Sequence, residues 1–193
     1  MKPTRVHVTD FQSVRNSTEF DIGDVTCLVG KNEAGKTALL QAMHRLRPLV
    51  DIDAGYIVTD DYPCRDVVDY QHDIEEKRRE HAVVCSLTYQ LDEADVAAVA
   101  KVFGPRALSS RKLTISKAYE QDNITFDLSV NLKVALQYLL SRHPVSDETR
   151  EALKPCYTPD EAKTVVADIE QTEAIQNITR WLDDIADEGS VKL

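Results

Sequence analysis

At 193 residues, with 42% hydrophobic and 29% charged side chains, the chain has the make-up of a folded domain large enough to bury a core. Its formal charge of −10 argues against a nucleic-acid surface spread over the whole chain, leaving DNA contact to a local patch or to another domain. No apolar run approaches the ~20 residues of a membrane helix and the amino terminus lacks a signal-peptide core, so a cytoplasmic protein with no membrane partner is expected.

Val6 and Val8 alternate with Arg5, His7 and Thr9 as a strand does, and Phe11 ends the run. A polar link, residues 12–17, leads to Phe20 and Ile22, a second short strand. Gly23-Asp24 then turns the chain into the apolar run 25–29, Val-Thr-Cys-Leu-Val, which predicts a third strand. Gly30, Lys31, Asn32, Glu33, Ala34, Gly35, Lys36 and Thr37 follow, matching the phosphate-binding pattern G-x-x-x-x-G-K-[ST]. Leu39, Leu40, Met43 and Leu46 then recur at helical spacing, predicting one helix face against a sheet.

The chemistry explains this choice of residues. A polyphosphate is held by backbone N–H groups at a helix start, where the dipole favours an anion. Glycines at 30 and 35 keep side chains out of the way and open torsions that a β-carbon forbids. Lys36 supplies a mobile positive charge for the outer phosphates, and the Thr37 hydroxyl is the candidate metal ligand, for Mg²⁺. ATP and Mg²⁺ are the cofactors this pattern implies.

Beyond the first helix, residues 49–62 read as loop, and Asp51, Asp53, Asp60 and Asp61 read as a solvated acidic face. Residues 75–80, Glu-Glu-Lys-Arg-Arg-Glu, predict an exposed helix with internal ion pairs. Residues 83–91 alternate as a strand. Asp92 caps a helix striped by Val96, Val99, Val102 and Phe103 and stopped at Gly104-Pro105. Leu113 to Tyr119 and Ile124 to Val130 predict an antiparallel hairpin around Gln121-Asp122-Asn123, and a helix runs from Leu132 to His143. Thr158-Pro159-Asp160-Glu161 is a helix start, and apolar positions from Ala162 to Ile185 predict one helix of ~28 residues, about 42 Å long. Trp181 falls in its apolar face and reads as core. The resulting division is a phosphate-loop lobe, 1–157, and a long carboxy-terminal helix, 158–193, packing on the lobe or leading to a missing second half.

The cysteines, at 27, 64, 85 and 156, show no C-x-x-C spacing, and the histidines form no ligand pair. Cys27 and Cys85 sit in apolar strands and are expected to be buried and reduced.

The runs Val-Thr-Asp-Phe-Gln-Ser-Val-Arg-Asn (8–16) and Leu-Val-Gly-Lys-Asn-Glu-Ala-Gly-Lys-Thr-Ala-Leu-Leu-Gln-Ala (28–42) resemble the amino-terminal lobe of SMC- and RecF-like ATPases of the ABC type. Within that group the resemblance points to OLD-family (overcoming lysogenization defect) proteins, in which such an ATPase is joined to a Toprim nuclease. Residues 59–65, Thr-Asp-Asp-Tyr-Pro-Cys-Arg, add a weaker likeness. The resemblance implies an α/β P-loop fold with a mixed sheet, antiparallel in its amino-terminal part, and flanking helices. It implies that Asn32 faces a partner subunit's nucleotide contacts and that Ser13 to Arg15 lie near the base or ribose. Read from the residues alone, Ser13 to Arg15 equally suit a solvated loop.

Hydrolysis needs an acid after an apolar strand and a second carboxylate for the attacking water. No four apolar residues precede an Asp-Glu pair. Ile124-Thr125-Phe126-Asp127 and Tyr56-Ile57-Val58-Thr59-Asp60 come nearest, and no Leu-Ser-Gly-Gly signature is present. The expectation is therefore an incomplete ATPase head, its catalytic residues unknown, relying on a second lobe or a homodimer partner. Three classes remain open: an ATP-binding module of a DNA-processing or phage-defence nuclease, a non-catalytic nucleotide-gated interaction module, and a small phosphotransferase with Arg78-Arg79 as its lid.

Overall fold

A computed structural model describes residues 1–31, 34–47, 55–156, 158–170 and 172–187. Asn32, Glu33, Asp51, Asp53 and Gly189 lie outside the described residues.

The alternation at the amino terminus becomes strand β1, Lys2–Phe11, which buries Val6, Val8 and Phe11. The chain then doubles back twice. β2, Val14–Asn16, and β3, Phe20–Asp21, both pair antiparallel with β1, in the registers Phe11↔Val14 and Val6↔Phe20. The link expected over 12–17 thus contains a strand of its own, and its tight turn places Asp10 and Gln12 at φ 47° and 50°.

Strands β4, Val83–Gln90, β5, Leu108–Ala118, and β6, Thr125–Val130, complete the sheet in the order β2-β1-β4-β5-β6, with β3 also on β1. The Thr9 hydroxyl donates to the Val83 carbonyl and the Thr4 hydroxyl to that of Thr88, so β1 and β4 run antiparallel. Leu91 N–H to Arg111 O and Tyr119 N–H to Ala82 O give the same sense for β4 and β5. The hairpin of β5 and β6 forms where expected. Every pairing among the described strands is antiparallel, so the parallel part of a mixed sheet is not found among them.

The run 25–29 corrects the prediction most sharply. It forms no strand: Val25 is 93% and Val29 89% exposed, and Cys27 is exposed too. Its composition is that of a buried strand, but none of the described strands pairs with it.

Two compact units emerge, divided within β5. One comprises residues 3–89 and 114–125. In it, helix α1, Lys36–Leu46, buries Ala38, Ala42 and Leu46, whereas Leu40 is 57% exposed. The buried stripe is rotated from the predicted one because small alanines pack closest. Helices α2, Val58–Asp61, and α3, Val67–Glu75, carry an aromatic cluster that the periodicity did not reveal. Tyr62 stacks on Tyr70 at 4.2 Å, and Tyr119 meets both edge-on or tilted. The predicted helix over 75–80 is displaced upstream; beyond Glu75, Arg78 pairs with Glu76 and Asp73 in a turn.

Asp61 is buried rather than solvated. Both its oxygens accept from the Arg45 guanidinium, at 2.8 and 2.6 Å, and Oδ2 also accepts from the Ile57 N–H at 3.0 Å. This pins the last turn of α1 to α2. Asp60 remains exposed, as expected.

The other unit comprises residues 1–2, 90–113 and 126–193. Asp92 caps helix α4, Glu93–Phe103, through a capping box with Asp95, and Val102 of its expected stripe is 52% exposed. Helices α5, Leu132–Arg142, α6, Asp147–Leu153, α7, Pro159–Ala167, and α8, Glu173–Asp187, pack Leu136, Leu153, Val166, Ile178 and Leu182 into one apolar cluster. The single helix expected from 158 is two. The Thr158 capping box starts α7 as read, but the chain turns after Ala167, so α7 and α8 bury their stripes against each other. Trp181 is partly buried against this cluster and meets Phe103 edge-on at 5.9 Å.

Two outcomes test this fold. Asp61→Ala strands the Arg45 charge and the Ile57 N–H, and should lower stability by about 2–3 kcal/mol in urea unfolding; an unchanged midpoint would contradict the pair's role. Cys27 and Cys64 are exposed, whereas Cys85 and Cys156 are buried, and burial pushes the Cys85 thiol up to about 12. Since the thiolate is the reactive form, alkylation of the native protein at pH 8 should mark Cys27 and Cys64 and spare the other two, as read by peptide mass spectrometry. Labelling of Cys85 ahead of Cys27 would refute the arrangement.

Candidate functional site

The loop between residue 30 and α1 is built on Gly35. It takes φ 77°, the left-handed region, and is buried; a β-carbon there would lie 2.9 Å from Val14 Cγ2 and 3.2 Å from Ser13 Oγ. Both torsion and space therefore require glycine. Gly30 differs: a β-carbon there would meet only the Ala34 Cβ, at 3.4 Å. Of the two motif glycines, the second carries the geometric demand.

Gly35 is also the cap residue of α1, with no side chain capping the helix. The first-turn amides of any α-helix lack intrahelical acceptors, so those of Lys36, Thr37 and Ala38 are left for an outside acceptor. Gly30, Lys31, Ala34 and Thr37 are exposed, so the loop opens to solvent.

Lys36 lies across this loop. Its ammonium donates to the Gly30 carbonyl at 2.7 Å and to the Lys31 carbonyl at 2.5 Å. An ammonium has three protons, so one remains for an incoming acceptor. Carbonyl oxygens hold the charge in place without neutralising it. The lysine is thereby set above the amide-lined turn, where an anion would meet the charge and the helix dipole together.

Ser13 and Val14 reach the site through their approach to Gly35, and Arg15 follows them in the same turn. They line an open groove of about 820 Å³ together with Phe20, Leu28 and Val29. Its apolar side suits a flat ring and its Ser13–Asn16 side offers polar groups. Arg15 is held by Asp66, with 2.5 Å between charged atoms, and stays 62% exposed. Ser13 to Arg15 thus belong to a surface turn that forms one wall of the groove beside Gly35.

Thr37 is in the first turn of α1 and exposed. A Mg²⁺ bound there would be held by this hydroxyl and by phosphate oxygens and water. The described residues contain no cluster of three His, Cys, Asp or Glu able to hold a metal on its own. Asn32 and Glu33 lie outside the described residues, so their expected roles receive no structural description.

What the sequence reading missed is the support behind the loop. The Gln12 N–H donates to the Asp61 carbonyl at 2.6 Å, and the Tyr119 hydroxyl to the Asp10 carbonyl at 2.5 Å. The turn that presses on Gly35 is thus clamped on its β1 side, while Arg45–Asp61 fixes the far end of α1. Burial raises the Asp10 carboxyl, partly countered by Arg79 and Arg15. The signal available beforehand was the Thr-Asp-Asp-Tyr run, where an acid beside a tyrosine and before a proline suits a buried partner as well as a solvated one.

No helix among the described residues is long and apolar enough to cross a membrane. No curated protein matches the chain. Residues 1–188 match the family model described as the AAA ATPase domain, a span that includes the loop before α1 and helices α1 to α8. The chain belongs to the AAA ATPase domain family.

Proposed function

We propose that this chain is the ATP-binding front half of an ABC/SMC/RecF-like ATPase head, from an OLD-like nuclease of DNA processing or phage defence, and that hydrolysis needs residues outside it. Family membership supports ATP binding. The observation that carries the incompleteness is the exposed run 25–29. Val25 and Val29 at 93% and 89% exposure, directly before the phosphate loop, leave strand-type residues in water, and pairing with a strand supplied from elsewhere would bury them. That supply is a second ATPase lobe or another polypeptide; DNA contact would come through other domains.

In this reading the amides of Lys36, Thr37 and Ala38 receive the phosphates. Lys36 exchanges a carbonyl for a phosphate oxygen, and Thr37 holds Mg²⁺. The base lies in the groove walled by Ser13, Val14 and Arg15. Bound Mg²⁺ supplies charge neutralisation between the outer phosphates. Of the acids behind the loop, Asp61 is committed to Arg45 and is not available for water activation.

The phosphotransferase reading loses its lid residues. Arg78 is paired with Glu76 and Asp73, and the Arg79 guanidinium lies 4.6 Å above the Tyr70 ring.

Calorimetry and phosphate release on the purified chain test the proposal. ATP with Mg²⁺ should bind, and Lys36→Ala should weaken binding by on the order of tenfold or more while leaving the melting temperature unchanged. Turnover should stay well below ~1 s⁻¹. Equal affinity in Lys36→Ala would overturn the site; turnover at or above that rate would overturn the dependence on outside residues.

A further inference from the structure

Asp66 stands immediately before helix α3, where an aspartate ordinarily caps the helix with its own side chain. Here its carboxylate makes no cap bond. It turns instead to the guanidinium of Arg15, with 2.5 Å between Oδ2 and Nη2. A side chain suited to satisfying the free amides of its own helix is thus spent on a residue of strand β2. An exposed ion pair adds little to stability, so stability does not account for that choice.

Arg15 has a use for the partner. Its side chain is 62% exposed, and a long cation in water gives up much rotamer freedom when a ligand fixes it. Asp66 is its one ion-pair partner among the described residues. The other charges of this corner are placed differently: the Arg79 guanidinium lies 4.6 Å above the Tyr70 ring, and Asp10 is partly buried, its carboxyl raised by that burial.

The held guanidinium belongs to the wall of the groove beside Gly35, with Ser13 and Val14. Its contact with Asp66 runs through Nη2, and Nη1 and Nε make no hydrogen bond among the described residues. A guanidinium carries donors only. Those at Nη1 and Nε are left for acceptors that enter the groove.

We infer that Asp66 is a positioning residue of this groove: it holds Arg15 so that the free N–H groups of the guanidinium donate to acceptors of the nucleoside. This rests on the nucleotide binding proposed above and adds to it a residue outside the phosphate motif.

The sign of one substitution separates positioning from a plain charge effect. Asp66→Asn removes a negative charge beside the groove, which by charge alone strengthens the binding of every polyanion. Calorimetry on the full chain with ATP and Mg²⁺, run beside inorganic tripolyphosphate and Mg²⁺, divides the nucleoside from the phosphates. Asp66→Asn should weaken ATP by about three- to tenfold while tripolyphosphate holds or gains affinity, and Asp66→Glu should restore part of the loss. In an Arg15→Ala background, Asp66→Asn should change ATP affinity by less than about twofold, since the group it acts through is gone. The Asp66 side chain caps nothing and is 36% exposed, so the melting temperature of the variant should match that of the parent. Unchanged or stronger ATP binding in Asp66→Asn would overturn its role, as would a full loss on the Arg15→Ala background. Equal weakening of ATP and tripolyphosphate would do the same, because the effect would then lie in the loop and not in the nucleoside contact. If neither ligand bound the parent chain, the nucleotide-binding function itself would fall, and the role of Asp66 with it.

Discussion

The hydrogen that stands where Gly35 has no side chain is the constraint on which the rest of this molecule depends. Gly35 must turn left-handed to start α1, and must also let Val14 approach closer than a β-carbon accepts, with Ser13 close behind it. Those two demands join the phosphate loop to the β1–β2 turn. Everything behind them serves to keep that junction in place. Tyr119 and Asp61 hold the turn through Asp10 and Gln12, and Arg45 holds the end of α1 through Asp61. The site is thus a surface loop on a braced support, and its precision comes from backbone contacts more than from the side chains the motif names.

The run before the loop behaves in the opposite way. Residues 25–29 have the branched and apolar side chains that stabilise a strand by burial, yet they sit in water unpaired. Val25 and Val29 are therefore the apolar side chains of this run that a further strand would cover under the proposed function. The loop is thus braced behind Gly35 and α1, while no described strand pairs with the run that enters it. Under the function we propose, nucleotide affinity and hydrolytic competence would be separable, the first resting on Gly35, Lys36 and Thr37 and the second on residues supplied from elsewhere.

Much of this was legible in the residues. Capping signals at Asp92 and Thr158, the 83–91 alternation and the hairpin about residues 121–123 were read correctly because each is local. The errors share one cause. Whether Val25 to Val29 pair, whether Asp61 is solvated, and whether apolar positions from 162 to 185 lie on one helix or two are decided by distant partners, which periodicity does not report. The 28-residue pattern was right about which side chains are apolar and wrong about continuity, because two short helices facing each other bury that stripe better than one long helix can alone. The β2 strand was hidden in polar residues, since its pairing with β1 is made by backbone groups. The glycine turn at the start of α1 was visible because glycine, lysine and threonine at fixed spacing have a chemical reason that needs no tertiary context. Its brace was not, because an arginine nine residues past the motif lysine acquires meaning only once Asp61 is seen beneath it.

Lys36 is the point where the account is most exposed, since its ammonium already rests on the Gly30 and Lys31 carbonyls. If that contact parks the lysine above an open cradle, phosphate enters beside it; if it seals the loop, nothing does. Amide resonances of the full chain titrated with ATP and Mg²⁺ distinguish these directly. The account predicts that Gly35, Lys36, Thr37 and Ala38 shift together with Ser13, Val14 and Arg15, saturating at one affinity. Shifts that leave these amides unmoved, or that centre elsewhere in the chain, would contradict it.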